Sequence, residues 1–207
     1  MIIGHHLIWT AYGWWLPNDP RGSMSRELRK DALIDLGDLH YGRKRIQPAN
    51  WKITRFYAQA AQSLQFNLLK FSADEVAAIA QSFAGTIQRR NYTCYACAIM
   101  PEHIHLLIRR HRDLPEAMIE AFQEDSRAAI LELKSKSRGI DHPVWGGPGW
   151  KVFLNTPADM RRIVRYIDDN PIKIGLPRQQ WTFVQPYDGW MPGQVFVAKS
   201  QAKKGRG

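Results

Sequence analysis

Two histidines one residue apart, His103 and His105 in the run MPEHIHLLI, are the residues of this chain best suited to hold a cation. On an extended strand alternate side chains share a face, so the two imidazoles stand side by side while Ile104, Leu106 and Ile108 point the other way. Two imidazoles need a further donor to make a divalent site. A helix later in the chain offers one, because Tyr166 and Asn170 are four residues apart and share a face, as do Arg162 and Tyr166 one turn earlier. A phenol so placed could attack a phosphodiester, with a cation held by His103, His105 and the Asn170 amide oxygen neutralising charge on the non-bridging oxygen. Arg162, Arg165 and Lys173 are cations suited to phosphates. Taken singly, these residues have plainer readings: two surface histidines, an amphipathic core tyrosine, and an Asn that ends a helix before Pro171. On ligand type alone, the site also suits Zn²⁺ or another transition metal.

The elements that must position these side chains can be read from pattern. IGHHLIWTAY is a first strand ending at Gly13. From Trp14 to about Lys52, Pro and Gly recur and Arg43, Lys44 and Arg45 cluster, which predicts a long inserted loop with a short helix around residues 27–36. Ser72 and Glu75 form a capping box for a helix carrying Val76, Ile79, Ala80, Phe83 and Ile87. YTCYACAI and HIHLLIRR flank Met100, Pro101 and Glu102 as the strands of a hairpin. Asp113 and Pro115 open a helix through Leu133, closed by the polar run KSKSRG. WKVFL is a short strand, and Thr156, Pro157 and Asp159 start a last helix that Pro171 is expected to stop after Asn170. The order strand, helix, strand, strand, helix, strand predicts an α+β, ferredoxin-like split βαβ unit, with both crossover helices on one face of an antiparallel sheet. The other face is left for a ligand or for the last helix.

Composition bounds the partner. The 207 residues carry 29 Lys and Arg against 19 Asp and Glu, a formal charge of +10, so the partner is expected to be acidic. With 44% hydrophobic residues there is apolar surface for a core, and there is no run of about 18 apolar residues to cross a membrane. At roughly 150 residues per domain, one domain with large embellishments is expected. The N-terminal MIIGHHLIWTAYG lacks the features of a signal peptide, and two cysteines make no disulfide framework, so the expected compartment is the cytoplasm. Cys94 and Cys97 sit on a strand, where residues three apart point to opposite faces; they read as small buried hydrophobes, not as a metal or redox pair.

PEHIHLL followed by RYIDDNPIKIGL resembles the single-tyrosine HUH transposases, and within them the REP-associated tyrosine transposases of bacteria. The likeness runs from the first strand to about Pro177. It implies an HUH nuclease domain over residues 1–177 with an insertion at about 14–70, followed by a basic and aromatic extension over 178–207. It further implies cleavage and rejoining of single-stranded DNA beside a hairpin, through a 5′-phosphotyrosine link and a free 3′-hydroxyl, with Mg²⁺ or Mn²⁺ as cofactor. By position, His103 and His105 match the HUH pair, Tyr166 the nucleophile, and Asn170 the polar third ligand. Asp168 and Asp169 depart from the family's pattern. Relatives of this kind favour a monomer, with the tyrosine acting in its own chain, over a homodimer.

Loop tryptophans beside cations suit stacking on unpaired bases, which points to Trp14, Trp15 and Arg21 in the first loop and to Trp145, Trp150, Trp181 and Trp190 further on. The plainer reading is a set of hydrophobic anchors folded onto the core. The basic tail KKGRG reads either as a solvated end or as a phosphate-binding arm. The alternative to an enzyme is a catalytically silent single-stranded nucleic-acid-binding module, since an open antiparallel sheet face also describes RNA-recognition domains. Those use aromatics where this strand carries histidines. A histidine-triad hydrolase would need a third alternating His, and position 107 is Leu.

Overall fold

Strands β1 (Gly4–Thr10), β2 (Cys94–Ile99), β3 (His103–Arg109) and β4 (Trp150–Leu154) pair antiparallel in the order β2-β3-β1-β4. The computed structural model describes residues 1–27, 31–134 and 142–193. β3 inserts between β1 and β2, which is what splits the βαβ unit and gives the expected ferredoxin-like α+β fold. Helices α2 (Ala73–Arg90) and α3 (Pro115–Lys134) cover one sheet face. There Leu7 and Trp9 of β1 and Ile104, Leu106 and Ile108 of β3 meet Ile79, Phe83, Met118, Ile119 and Phe122 in one buried cluster.

The other face is taken by α4 (Pro157–Asp168). Its Met160, Ile163 and Ile167, spaced three and four apart, pack with Leu107, Tyr95, Ala96 and Ala98 in a second buried cluster. Thr156 caps α4 by accepting from the Asp159 backbone N–H at 3.1 Å. Burial on both sides makes the middles of the central strands mostly apolar, with the histidines the main exception and Thr10 and Arg109 at the strand ends.

The edge of β2 has a cover. Gln179 donates to the Ile99 carbonyl and accepts from the Ile99 amide, both at 2.8 Å, and the Gln185 amide donates to the Cys94 carbonyl at 2.8 Å. Residues 179–185 thus satisfy backbone groups that a sheet edge otherwise leaves open.

Four local expectations need correction. Cys94 and Cys97 lie on the same face, both within the cluster under α2 and α3, because a bulge between Cys94 and Ala96 resets the alternation of β2. Their thiols are buried; burial pushes that of Cys94 up to about 12. The last helix ends at Asp168 instead of running to Asn170, and Pro171 sits in the first turn of a short helix, α5 (Asn170–Lys173). A proline can open a helix whose first N–H groups need no partner, so Pro171 divides two helices instead of stopping one. The insertion holds a full helix, α1 (Asn50–Ser63), with Phe56, Tyr57 and Ala60 buried. Finally, the short helix expected over 27–36 is a 3-10 segment, Asp31–Leu36; residues 28–30, the run after Lys134 and the KKGRG tail lie outside the described residues.

Candidate active site

Register fixes the site. Thr10 pairs with His103, Ile8 with His105 and His6 with Leu107, so β1 and β3 present these six side chains to the face on which α4 lies. The rings of His103 and His105 stand 4.9 Å apart and edge-on. From α4, Tyr166 sets its ring against His105 at 5.5 Å and against His6 at 5.9 Å. The apolar stripe of α4 is what turns Tyr166 this way, since Ile163 and Ile167 flank it on the buried side.

His6 is the residue that the sequence reading missed. Its Nε2 lies 2.9 Å from His105 Nδ1, a hydrogen bond buried between two central strands. The signal was present in GHHLIWT, where His6 alternates with Ile8 and Thr10 as His105 does with His103, but only the register shows that the two rows adjoin. Burial, then the Arg162 charge, pushes the His6 imidazole down to about 4. Burial, followed by His103, His6 and Lys173, holds His105 well below the usual histidine range. Both rings are therefore neutral at pH 7, the form that has a nitrogen lone pair to give.

His103 differs in its surroundings. Its Nδ1 is buried without a hydrogen-bond partner among the described residues, and the Glu102 carboxylate stands 3.7 Å away, beyond hydrogen-bond reach. Burial works to raise the Glu102 carboxyl, and His103, Lys70 and Arg21 together outweigh it, holding it below its usual value. Trp15 closes the same side, its ring 5.4 Å from that of His103 and roughly perpendicular.

Asn170 keeps its place next to the tyrosine. Its Nδ2 donates to the Tyr166 carbonyl at 2.8 Å, which occupies the amide nitrogen and leaves Oδ1 as the free acceptor. No hydrogen bond joins it to either histidine among the described residues. That same set holds no group of three or more His, Cys, Asp or Glu arranged for a metal. A donor set of two imidazoles and an amide oxygen is of a different composition. It fits a divalent cation in chemistry, with a neutral His105 ring, an unsatisfied buried nitrogen on His103 and an amide whose oxygen is left as acceptor.

The cations and loop aromatics divide into two groups. Lys173 holds its ammonium 4.6 Å from the centre of the Tyr166 ring, and Arg165 is exposed on α4. Arg162 is exposed and paired with Asp159 at 2.9 Å. Trp14 is an anchor, with its indole N–H on the Leu69 carbonyl at 2.6 Å and its ring on Tyr57. Arg21 grips Asp19 through two bonds of 2.9 and 2.7 Å, so its charge is already matched, while its guanidinium also caps the Trp15 ring at 3.8 Å. Trp145 likewise bonds inward, to the Gln123 carbonyl at 2.9 Å.

No family model matches the sequence, and no curated protein does. Among the solved structures similar to it are two transposases. One is a REP-associated tyrosine transposase bound to a REP hairpin, at 13% identity and a TM-score of 0.44, covering 95% of this chain and 90% of that one. The other is a candidate transposase from Deinococcus radiodurans, at 12% identity and a TM-score of 0.37, covering 86% of this chain and 93% of that one. No helix among the described residues is long and apolar enough to cross a membrane.

Proposed function

We propose that this chain is a metal-dependent transposase of the single-tyrosine HUH type, which cleaves and rejoins single-stranded DNA beside a hairpin through Tyr166. The observation that carries the reading is the contact of the Tyr166 ring on α4 with His105, whose ring stands 4.9 Å from that of His103. His103, His105 and Asn170 would hold Mg²⁺ or Mn²⁺. When bound, such a cation supplies charge neutralisation at a non-bridging phosphate oxygen.

The chain's own residues do the rest. Tyr166 forms an oxygen–phosphorus bond as the phosphorus–O3′ bond breaks; the phenolic proton is released, and the O3′ leaving group takes up a proton to become a hydroxyl, leaving a 5′-phosphotyrosine. The Lys173 ammonium, over the ring of Tyr166, favours the developing phenolate and the phosphate alike. Rejoining is the reverse attack by a 3′-hydroxyl. The silent-binder alternative is disfavoured because α4 lies on the sheet face that such a module would offer to bases.

A denaturing gel with a labelled hairpin oligonucleotide tests this. The native chain with Mn²⁺ is expected to give a slow-migrating covalent species, which EDTA, His103→Ala and Tyr166→Phe each abolish. An adduct that persists in the phenylalanine variant removes Tyr166 from the reaction, and full cleavage in EDTA removes the metal.

A further inference from the structure

At the opposite end of β3 from His103 lies a cavity of about 560 Å³. Its walls include Arg90 at the end of α2, Arg110, His111 and Arg112 just after β3, and Trp190 from the C-terminal segment. Three exposed arginines line one hollow, and their charges together favour an anion there. Arg90 and Arg110 have no ion-pair partner among the described residues, and Arg112 reaches only to 3.8 Å from Asp113 with its side chain 88% exposed.

The walls are fixed before any ligand arrives. The Tyr92 hydroxyl donates to Asp113 at 2.8 Å, the Asp113 amide donates to His111 Nδ1 at 3.2 Å, and the rings of Tyr92 and His111 meet edge-on at 4.9 Å. Trp190 is held by its own turn: its amide donates to Asp188 at 2.9 Å and its carbonyl accepts from the Tyr187 hydroxyl at 3.1 Å. The Arg109 guanidinium lies 4.4 Å from the centre of its ring. A half-buried indole among unmatched guanidinium groups suits a ligand that brings both a flat aromatic face and phosphates, whereas a simple anion would need only the cations.

Arg109 also gives the direction. It follows His103, His105 and Leu107 on the same face of β3, so Trp190 stands at the far end of the row that begins at the candidate active site, about 20 Å away at some 3.3 Å per residue.

We propose that this cavity is a second binding site for single-stranded DNA, in which one base stacks on Trp190 and the adjoining phosphates contact Arg90, Arg110 and Arg112. The identity of the strand rests on the function proposed above; the site itself rests on its own residues. The test is fluorescence anisotropy of a labelled oligothymidylate with the full chain in EDTA, titrated with NaCl. Replacing all three arginines by alanine is expected to weaken binding at least tenfold at low salt and to lower the slope of log K against log salt by about 2, at about 0.7 per phosphate contact. Trp190→Ala is expected to cost about tenfold with the slope unchanged. If the triple variant is poorly folded by circular dichroism, the single Arg→Gln variants, each lowering the slope by about 0.7, decide the matter. An unchanged slope overturns the inference, as does a duplex that competes as well as the single strand, or inorganic phosphate that displaces the oligonucleotide at equal ionic strength. Because EDTA suspends the tyrosine chemistry, an absent adduct and an unchanged slope are separate failures.

Discussion

The bond between His6 Nε2 and His105 Nδ1 gives His6 a task of its own. A histidine that binds a metal through one nitrogen is oriented through the other, and a partner on Nδ1 that accepts its proton leaves Nε2 bare. With His105 Nδ1 as the donor in this bond and Nε2 holding the proposed cation, His6 would be a positioning residue, with no contact to substrate required. His6→Ala is expected to weaken Mn²⁺ binding by about 10- to 100-fold, read by calorimetry in the absence of DNA, while His6→Gln, which can still accept a hydrogen bond, retains most of it. A purely structural His6 would lower thermal stability and leave the affinity of the folded protein unmoved. Residue chemistry was legible here as far as alternation reaches: His103 and His105 share a face because they are two apart on a strand. His6 was not, since its relation to His105 depends on the pairing of β1 with β3, which no local pattern encodes.

Elements were legible where the chain marks their ends. Ser72 and Glu75 form both bonds of the capping box that opens α2, and Thr156 with Pro157 opens α4. α1 carries Ile53, Phe56, Tyr57 and Ala60 at helical spacing, yet its N-cap is Ala49 and makes no side-chain bond, so it begins unannounced inside a Pro- and Gly-rich stretch. α1 meets the first loop through the Trp14–Tyr57 ring contact and through a polar cluster. Tyr57 donates to the buried Asp19 carboxylate and accepts from Arg21 at 3.0 Å and from the Trp15 amide at 2.9 Å. This last bond secures Trp15 in a left-handed conformation, φ 52°, that a bulky residue seldom adopts. Tyr57→Phe removes the shared hydroxyl and is expected to destabilise the fold by about 1–3 kcal/mol in urea unfolding, with Asp19 still paired to Arg21. No change in midpoint would mean that the insertion docks through its apolar residues alone. The bulge in β2 was equally illegible, because one extra residue in a strand leaves no mark in composition.

Across the whole molecule, charge and fold divide the work. Of the chain's 29 Lys and Arg, Lys173 and Arg165 stand near Tyr166 and Arg90, Arg110 and Arg112 line the hollow beside Trp190. The hydrophobic pattern predicted the crossover-helix layer and left the opposite face to a ligand or a helix; the apolar stripe of α4 fills it. It could not show how residues 179–185 would be used, because that segment has neither helical nor strand periodicity and is placed by backbone bonds to β2.

Those bonds govern how the molecule behaves in concentrated solution. A chain cut after Pro177 would bare the peptide groups of Ile99 and Cys94 along a strand whose six residues are all buried in the intact fold. An uncovered apolar edge is a template for a second copy. The shortened chain is expected to self-associate as its concentration rises, measured by light scattering, while the full chain under the same conditions does not; two chains that scatter alike would mean that the edge is guarded by something other than residues 179–185. The C-terminal segment would then serve as a built-in guard against aggregation as much as a wall for DNA.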